Sequence, residues 1–355
     1  MAAVAIGHQG FANVGDEAIL SGIERILAGS RLSVDTVIAG NRAPVMAFAD
    51  ARRVTSRRLF PTLAAARALS RADVLLLAGG GLLHDHWPMV LPRYLAWTVL
   101  ARVLGARVAW VGIGVGPLRS KCARMLVGLA ARLATVRTVR DEGSLAVLRR
   151  APGSPNATII PDPAFFLDRP DRSGPRSGLA VIVRRPTPTD SHLGARLNDA
   201  IVDIVRPRVA RDERVVLLAM QDDDDLVEEL SLATKNAAGR RARARALPLD
   251  AARTAEDLAG FEVVVSMRLH GLILAALAGT PCVPVSYDAK VSAVARQLGL
   301  EEATVSLAGV TPARLESAIA AVAEGPARRR VEGAVTGLRR EREAVAALLE
   351  RTLDG

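Results

Sequence analysis

What most constrains this chain is a regular alternation of short apolar runs with amphipathic helical segments, sustained almost from end to end. Val4–Gly7, Ser33–Ala39, Asp73–Ala78, Ala106–Gly112, Thr135–Val139 and Ala157–Ile160 read as strands. Asp16–Ala28, Leu91–Leu104, Ser120–Leu133 and a segment near Ser144–Arg150 read as the helices between them. Asp73–Ala78 is a short, continuous apolar strand, the pattern of a strand covered on both faces. Such alternation requires parallel sheets with crossover helices. The pattern breaks at Asp168–Ser177, whose Pro, Gly, Ser and charge mark a linker. It then restarts with strands Leu179–Arg184, Val215–Met220, Ala244–Leu247, Val263–Ser266 and Cys282–Ser286. Helices Leu193–Val205, one starting near Asp225, and Thr254–Ala259 lie between them. Thr311–Pro312 is an N-cap followed by proline at the first helical position. That helix is predicted to run to about Val322, with a last helix over Arg328–Arg351. The expectation is an α/β protein of two Rossmann-like, doubly wound domains facing a cleft. Residues 1–170 form the first, and 171–355, with the C-terminal helices, form the second.

Ligands of open α/β sheets bind at the carboxyl ends of the strands, so the residues there are the functional candidates. Ser266–Val291 is the richest such stretch. It leaves a strand through Met267–Arg268–Leu269–His270, runs into a helix, forms the strand Cys282–Ser286 and exits through Tyr287–Asp288–Ala289–Lys290. Arg268, His270 and Lys290 therefore sit where strands end and helices begin. One arginine, one histidine and one lysine at such an edge suit a small substrate with several negative charges and a proton to be moved. Lys121, Lys235 and Lys290 are the only lysines in an arginine-dominated background, which singles out Lys290 further.

Other strand ends carry weaker signals. Gly7–Ala18 (GHQGFANVGDEA) lacks the spacing of a dinucleotide or P-loop motif, and Asp16 and Glu17 would repel a phosphate. It reads either as a capped turn or as a loop that meets sugar hydroxyls through Asn13 and Asp16. Gly79–Gly81 leads into His84, Asp85 and His86, whose spacing completes no zinc pattern, so no metal is expected. Arg140 follows a strand directly. It is either satisfied by Asp141 or Asp162, or is an anion clamp. The run Asp222–Asp225 fits a solvated, dipole-friendly helix start better than a Mg²⁺ site.

The formal net charge is +10, which raises a nucleic-acid reading. Scattered arginines without an aromatic-studded basic strand or zinc-finger spacing argue for no nucleic acid; an anionic membrane surface or an acidic substrate fits better. Leu118–Arg137 is apolar on one face and carries Arg119, Lys121, Arg124, Arg132 and Arg137. It is either a core helix with a solvated basic face or a peripheral membrane contact. Leu91–Pro117 is cut by three arginines and is no membrane span. Without a leader-like N-terminus the chain is expected in the cytoplasm. Cys122 and Cys282 are expected to be reduced core thiols.

Six ordered blocks carry a resemblance. They are GFANVGDEAIL, LLLAGGGLLHD, GIGVGP, VRDEGS, PDPAF at Pro161–Phe165, and RLHGLILAALAGTPCVPVSYDAKV. In these the chain resembles the polysaccharide pyruvyl transferase family over almost its whole length. It departs at His8–Gln9, Leu82–His84 and Ala289, which touch the acceptor side more than the donor side. The resemblance implies a glycosyltransferase type B-like fold, with the acceptor on the first domain and the donor on the second. It implies transfer of pyruvate from phosphoenolpyruvate to a cell-wall or exopolysaccharide sugar as a cyclic ketal, releasing phosphate. The acceptor is free or lipid-linked, and no cofactor is needed beyond phosphoenolpyruvate as co-substrate. Matching positions assign His270, Arg140 and Lys290 to catalysis, Arg268 and Arg184 to donor binding, and Asn13, Asp16, Gly80 and Asp85 to the acceptor. The alternatives are a nucleotide-sugar glycosyltransferase of the same fold, which would need a ribose carboxylate and a base pocket, and a non-catalytic sugar-binding protein.

Overall fold

A computed structural model describes residues 1–56, 60–171, 174–185 and 191–354. The chain divides into two compact units, Met1–Leu167 with Leu338–Gly355, and Asp168–Gly337.

The first unit begins with β1 (Ala2–Ile6), α1 (Val14–Leu27), β2 (Ser33–Ala39), β3 (Arg52–Thr55) and α2 (Leu63–Leu69). It continues with β4 (Val74–Leu83), α3 (Val90–Val103), β5 (Arg107–Val115), α4 (Lys121–Leu133), β6 (Val136–Val139), α5 (Glu142–Arg149) and β7 (Thr158–Ile159), then a 3₁₀ turn at Pro163–Phe166. Its strands pair in parallel in the order β3-β2-β1-β4-β5-β6-β7. One sheet face packs Leu75, Leu77, Val108 and Trp110 under α2 to α5; the other packs Ala3, Ala5, Leu76 and Val111 under α1. The order reverses between β1 and β4, which places a crevice at their carboxyl ends.

The second unit contains β8 (Leu179–Ile182), α6 (Ser191–Ala210), β9 (Val215–Ala219), α7 (Asp224–Ala233), β10 (Arg243–Ala246) and α8 (Ala251–Ala259). Then follow β11 (Val263–Ser266), α9 (Leu269–Leu277), β12 (Cys282–Ser286), α10 (Ala289–Gln297), β13 (Val305–Ser306), α11 (Pro312–Ala323) and α12 (Gly325–Arg340). Its parallel order is β10-β9-β8-β11-β12-β13, the same winding, with the reversal between β8 and β11.

Four expectations need correction. The triple glycine does not end its strand: β4 runs on to Leu83, pairing Gly80 with Ile113 and Leu83 with Val115. The final helix is two helices, α12 and α13 (Arg342–Asp354). The second of these belongs to the first unit, because Val345, Leu349 and Leu353 fill the α1 side of its core. Cys122 is exposed at the start of α4; only Cys282 is a core thiol, and burial pushes its pKa up to about 12. Of the Asp168–Ser177 linker, residues 172–173 lie outside the described residues, and the rest forms neither helix nor strand.

Candidate functional site

In the second unit, side chains from four adjacent strand ends meet around the β8/β11 reversal. Arg184, just past β8, is nearly buried and lays its guanidinium 4.0 Å from the centre of the Tyr287 ring. Lys290, in the first turn of α10, has Nζ 5.5 Å from the same ring and 3.4 Å from a carboxylate oxygen of Asp288. Tyr287 thus brings together two cations separated by more than a hundred residues of sequence. Arg268 stands at the end of β11. Its guanidinium donates to Oε1 of Gln221 at 3.0 Å and to the Asp223 carboxylate. The other oxygen of Asp223 accepts the Arg185 N–H at 2.9 Å, so one buried carboxylate ties the ends of β8, β9 and β11. Asp223 is therefore no solvated helix-start acid, as the sequence suggested for its run.

His270 is the second residue of α9 and is half-buried. The N-cap position of α9, Arg268, makes no side-chain cap. The first N–H groups of a helix have no partner within it and favour an anion. α10 differs: Asp288 caps it by accepting the Lys290 N–H at 3.1 Å. The start of α9 lies hard on the sheet. A Cβ on Gly271 would come 2.4 Å from Ser266 Oγ and 2.8 Å from Ile182 Cδ1. The glycine after the histidine thus sets where His270 stands relative to β8 and β11.

In the first unit the sequence candidates behave differently from one another. Arg140, only 6% exposed, donates to Asp162 at 3.1 Å and pairs with Asp141 at 3.5 Å. The guanidinium fills the space that a side chain on Gly114 would take, since a Cβ there would meet it at 3.0–3.2 Å. Asp162 also caps the 3₁₀ turn by accepting the Ala164 N–H at 3.1 Å. That turn presses on α1 and β5, leaving no room for a Cβ at Gly22 or Gly112 against Pro163. The PDPAF block thus positions Arg140 through Asp162.

Asn13 is the N-cap of α1: its Oδ1 accepts the Gly15 N–H at 3.0 Å, and its amide donates to Asp16 at 2.7 Å. Asp16 in turn lies near Gly80, where a Cβ would sit 3.5 Å from its carboxylate. These three are together at the β1/β4 reversal. Asp85 has its own engagement. It pins the segment before α4, accepting the Arg119 and Ser120 N–H groups at 2.5 and 3.0 Å.

Two further groups at this reversal were not site candidates from sequence. Glu17 is buried and accepts the Gly10 N–H at 2.9 Å; burial raises its pKa to about 7. His8 stacks on Phe11 with ring centroids 4.6 Å apart; burial, with Arg93 and Arg42 nearby, lowers its pKa to about 4, so the imidazole is neutral at pH 7. In the second unit sequence reasoning missed Tyr287, although one of only two tyrosines placed at a strand exit was a usable signal. A groove of about 590 Å³ beside the edge strand β10 is a separate feature. Arg241 and Arg245 line it, paired with Glu228 and Asp257. Among the described residues no cluster of three or more His, Cys, Asp or Glu is arranged to hold a metal.

Two Rossmann-type parallel units make up a glycosyltransferase type B-like fold, and solved structures share it. UDP-GlcNAc 2-epimerase of Methanocaldococcus jannaschii, in complex with UDP-GlcNAc and UDP, superposes with a TM-score of 0.57 at 12% identity. That match covers 96% of this chain and 100% of the epimerase. HepE of Anabaena, in complex with UDP and glucose, gives a TM-score of 0.62 at 11% identity over 99% of both chains. At such identities the likeness speaks to fold alone. The family follows from sequence: the profile of the polysaccharide pyruvyl transferase family matches residues 13–289, and the chain belongs to that family. It is also 23% identical over 258 residues to the amylovoran biosynthesis protein AmsJ of Erwinia amylovora. That match spans 66% of this chain and 61% of AmsJ.

Proposed function

We propose that this protein transfers the pyruvate unit of phosphoenolpyruvate to two hydroxyls of a saccharide, forming a cyclic ketal and releasing phosphate. The observation that carries the reading is the convergence of Arg184, Arg268, His270 and Lys290 at the β8/β11 reversal, beside a helix N-terminus without a side-chain cap. Phosphoenolpyruvate presents a carboxylate and a phosphate on a three-carbon frame. Guanidinium groups bind such oxyanions in a planar fork, and lysine adds a compact point charge. The α9 N–H groups suit the phosphate.

The chemistry needs one proton delivered and one leaving group neutralised. His270 gives a proton to the methylene carbon of the enol, and a sugar hydroxyl adds to the adjacent carbon, losing its own proton. The second hydroxyl then displaces phosphate at that carbon, closing the ring; its proton leaves with the phosphate, and the proton lost by the first hydroxyl returns to His270. Charge on the departing phosphate is met by Lys290 and the arginines. Family resemblance also assigns Arg140 to the reaction. Since its charge is already met by Asp162 and Asp141, we read it as a cation of fixed orientation rather than a mobile clamp. On the first unit, Asn13, Asp16 and Gly80 are the acceptor candidates.

The test has two arms. Phosphate release from phosphoenolpyruvate should appear with a competent saccharide from a panel of free and lipid-linked acceptors, and mass spectrometry should show the ketal. In thermal shift, phosphoenolpyruvate should stabilise the protein by binding the native state, and UDP- or GDP-sugars should not. Stabilisation by a nucleotide sugar alone would replace this reading with a glycosyltransferase.

A further inference from the structure

The first unit carries an apolar, acid-poor surface that a water-facing fold does not require. Residues 86–140 contain nine Arg or Lys and no Asp or Glu. This stretch supplies α3 and α4, which pack side by side on the same face of the sheet. α3 is apolar nearly all round, the character of a buried helix, yet it lies at the surface. Its outward stripe is Pro92, Ala96, Val99 and Val103, preceded by the exposed Trp87 and Met89 and followed by Leu104. The outward stripe of α4 is Cys122, Met125, Leu129 and Arg132. Trp87, Val103 and Met125 are 69%, 76% and 64% exposed. Arg102, Arg119 and Lys121 are exposed around these side chains.

We propose that the outward face of α3 and α4 docks on an anionic phospholipid bilayer. Exposed apolar side chains bordered by cations, with no acid in residues 86–140 and the neighbouring Asp85 engaged by the Arg119 and Ser120 N–H groups, match an interface whose headgroups are negative and whose interior is apolar. A second copy of the chain would set these cations against their own likeness. No helix among the described residues is long and apolar enough to cross a membrane, so the contact is peripheral. The position also has a use. The hydroxyl of Tyr94 in α3 donates to the Gly7 carbonyl at 3.1 Å, so this helix supports the loop that carries Asn13 and Asp16. A lipid-linked saccharide would then meet its candidate loop close to the bilayer. That last step rests on the proposed function; the docking itself does not.

Trp87 makes the test direct, because Trp97 and Trp110 are fully buried. With vesicles of phosphatidylglycerol and phosphatidylcholine, tryptophan emission should shift to the blue and be quenched by brominated lipid. Trp87→Phe should remove the signal while sedimentation with vesicles persists. The double variant Val103→Glu/Leu129→Glu should lower partitioning at least about tenfold, since one Val or Leu kept out of the apolar phase accounts for that much. Arg102→Glu/Lys121→Glu should lower it by about fivefold or more per position and remove most of the salt sensitivity. All four positions are exposed, and unchanged thermal midpoints would show that the variants are folded. Absent binding, or equal binding to phosphatidylcholine alone, would overturn the proposal. A dimer that Val103→Glu/Leu129→Glu splits into monomers would instead assign the face to self-association. No substrate is present in these measurements, so their failure and that of the donor assignment are separately visible.

Discussion

Glu17 offers a quantitative test of how the first unit is built. It sits in the first turn of α1 and is 1% exposed. Burial is the main cause of its raised pKa, from 4.5 to about 7, and the Gly10 and Met46 N–H groups and Arg53 oppose the rise. The sign follows from linkage. Below about pH 4.5 the carboxyl is protonated in both the folded and unfolded chain, and its protonated state contributes its full stability. Between about 4.5 and 7 the unfolded chain ionises while the folded one keeps its proton, so stability falls as pH rises. Above about 7 that contribution is gone. The difference, 7 − 4.5 = 2.5 units, corresponds to about 3 kcal/mol at about 1.36 kcal/mol per unit. Glu17→Gln preserves an acceptor for Gly10 and has no proton to lose. Its stability relative to the parent should therefore be near zero at pH 4.5 and grow to about 3 kcal/mol by pH 8. For a unit of this size that is roughly 6–12 °C in Tm. Urea or thermal melts of both proteins at half-unit steps would show it. A constant offset across pH 4.5–8, or one that shrinks with pH, would refute the argument that burial holds this carboxyl neutral.

Other outcomes follow from the same geometry. His270→Ala should lower turnover by about 10²–10⁴-fold, with donor affinity far less changed, because Arg184, Arg268 and Lys290 still supply charge; near-normal turnover would end the proton-donor assignment. Gly114→Ala should leave the sheet intact but push the Arg140 guanidinium aside, since the new Cβ would arrive at 3.0–3.2 Å; steady-state kinetics with an unchanged Tm would register the displacement. Asp162→Asn removes one partner of a buried pair and should cost about 3–5 kcal/mol, read by urea denaturation. A change under about 1 kcal/mol would mean that Asp141 alone satisfies Arg140.

Periodicity and residue type determined a great deal here. Alternating apolar runs and helices specify parallel winding, because a strand buried on both faces and a crossover helix are local patterns in the chain. They also placed Arg268, His270 and Lys290 at strand exits, which needs only the strand boundaries. β3 and α2 escaped because they are short, and Arg52 and Arg53 hide the strand's apolar character. What the tertiary structure alone decided are the pairings between distant segments. The sequence offered Asp141 or Asp162 as partners of Arg140, but nothing local shows that both hold it against Gly114, or that Tyr287 lies between Arg184 and Lys290. Likewise, that Asp85 accepts the backbone N–H groups of Arg119 and Ser120 follows only from the fold. The return of α13 to the first unit, too, depends on which core has room for Val345, Leu349 and Leu353. A side chain's type is written in the sequence, but its burial and its partners depend on strand order, which joins residues the chain keeps far apart. That is also why the α3–α4 surface emerges only in three dimensions: the missing acids are visible in the sequence, whereas the outward turn of Val99, Val103, Met125 and Leu129 is set by packing on the sheet.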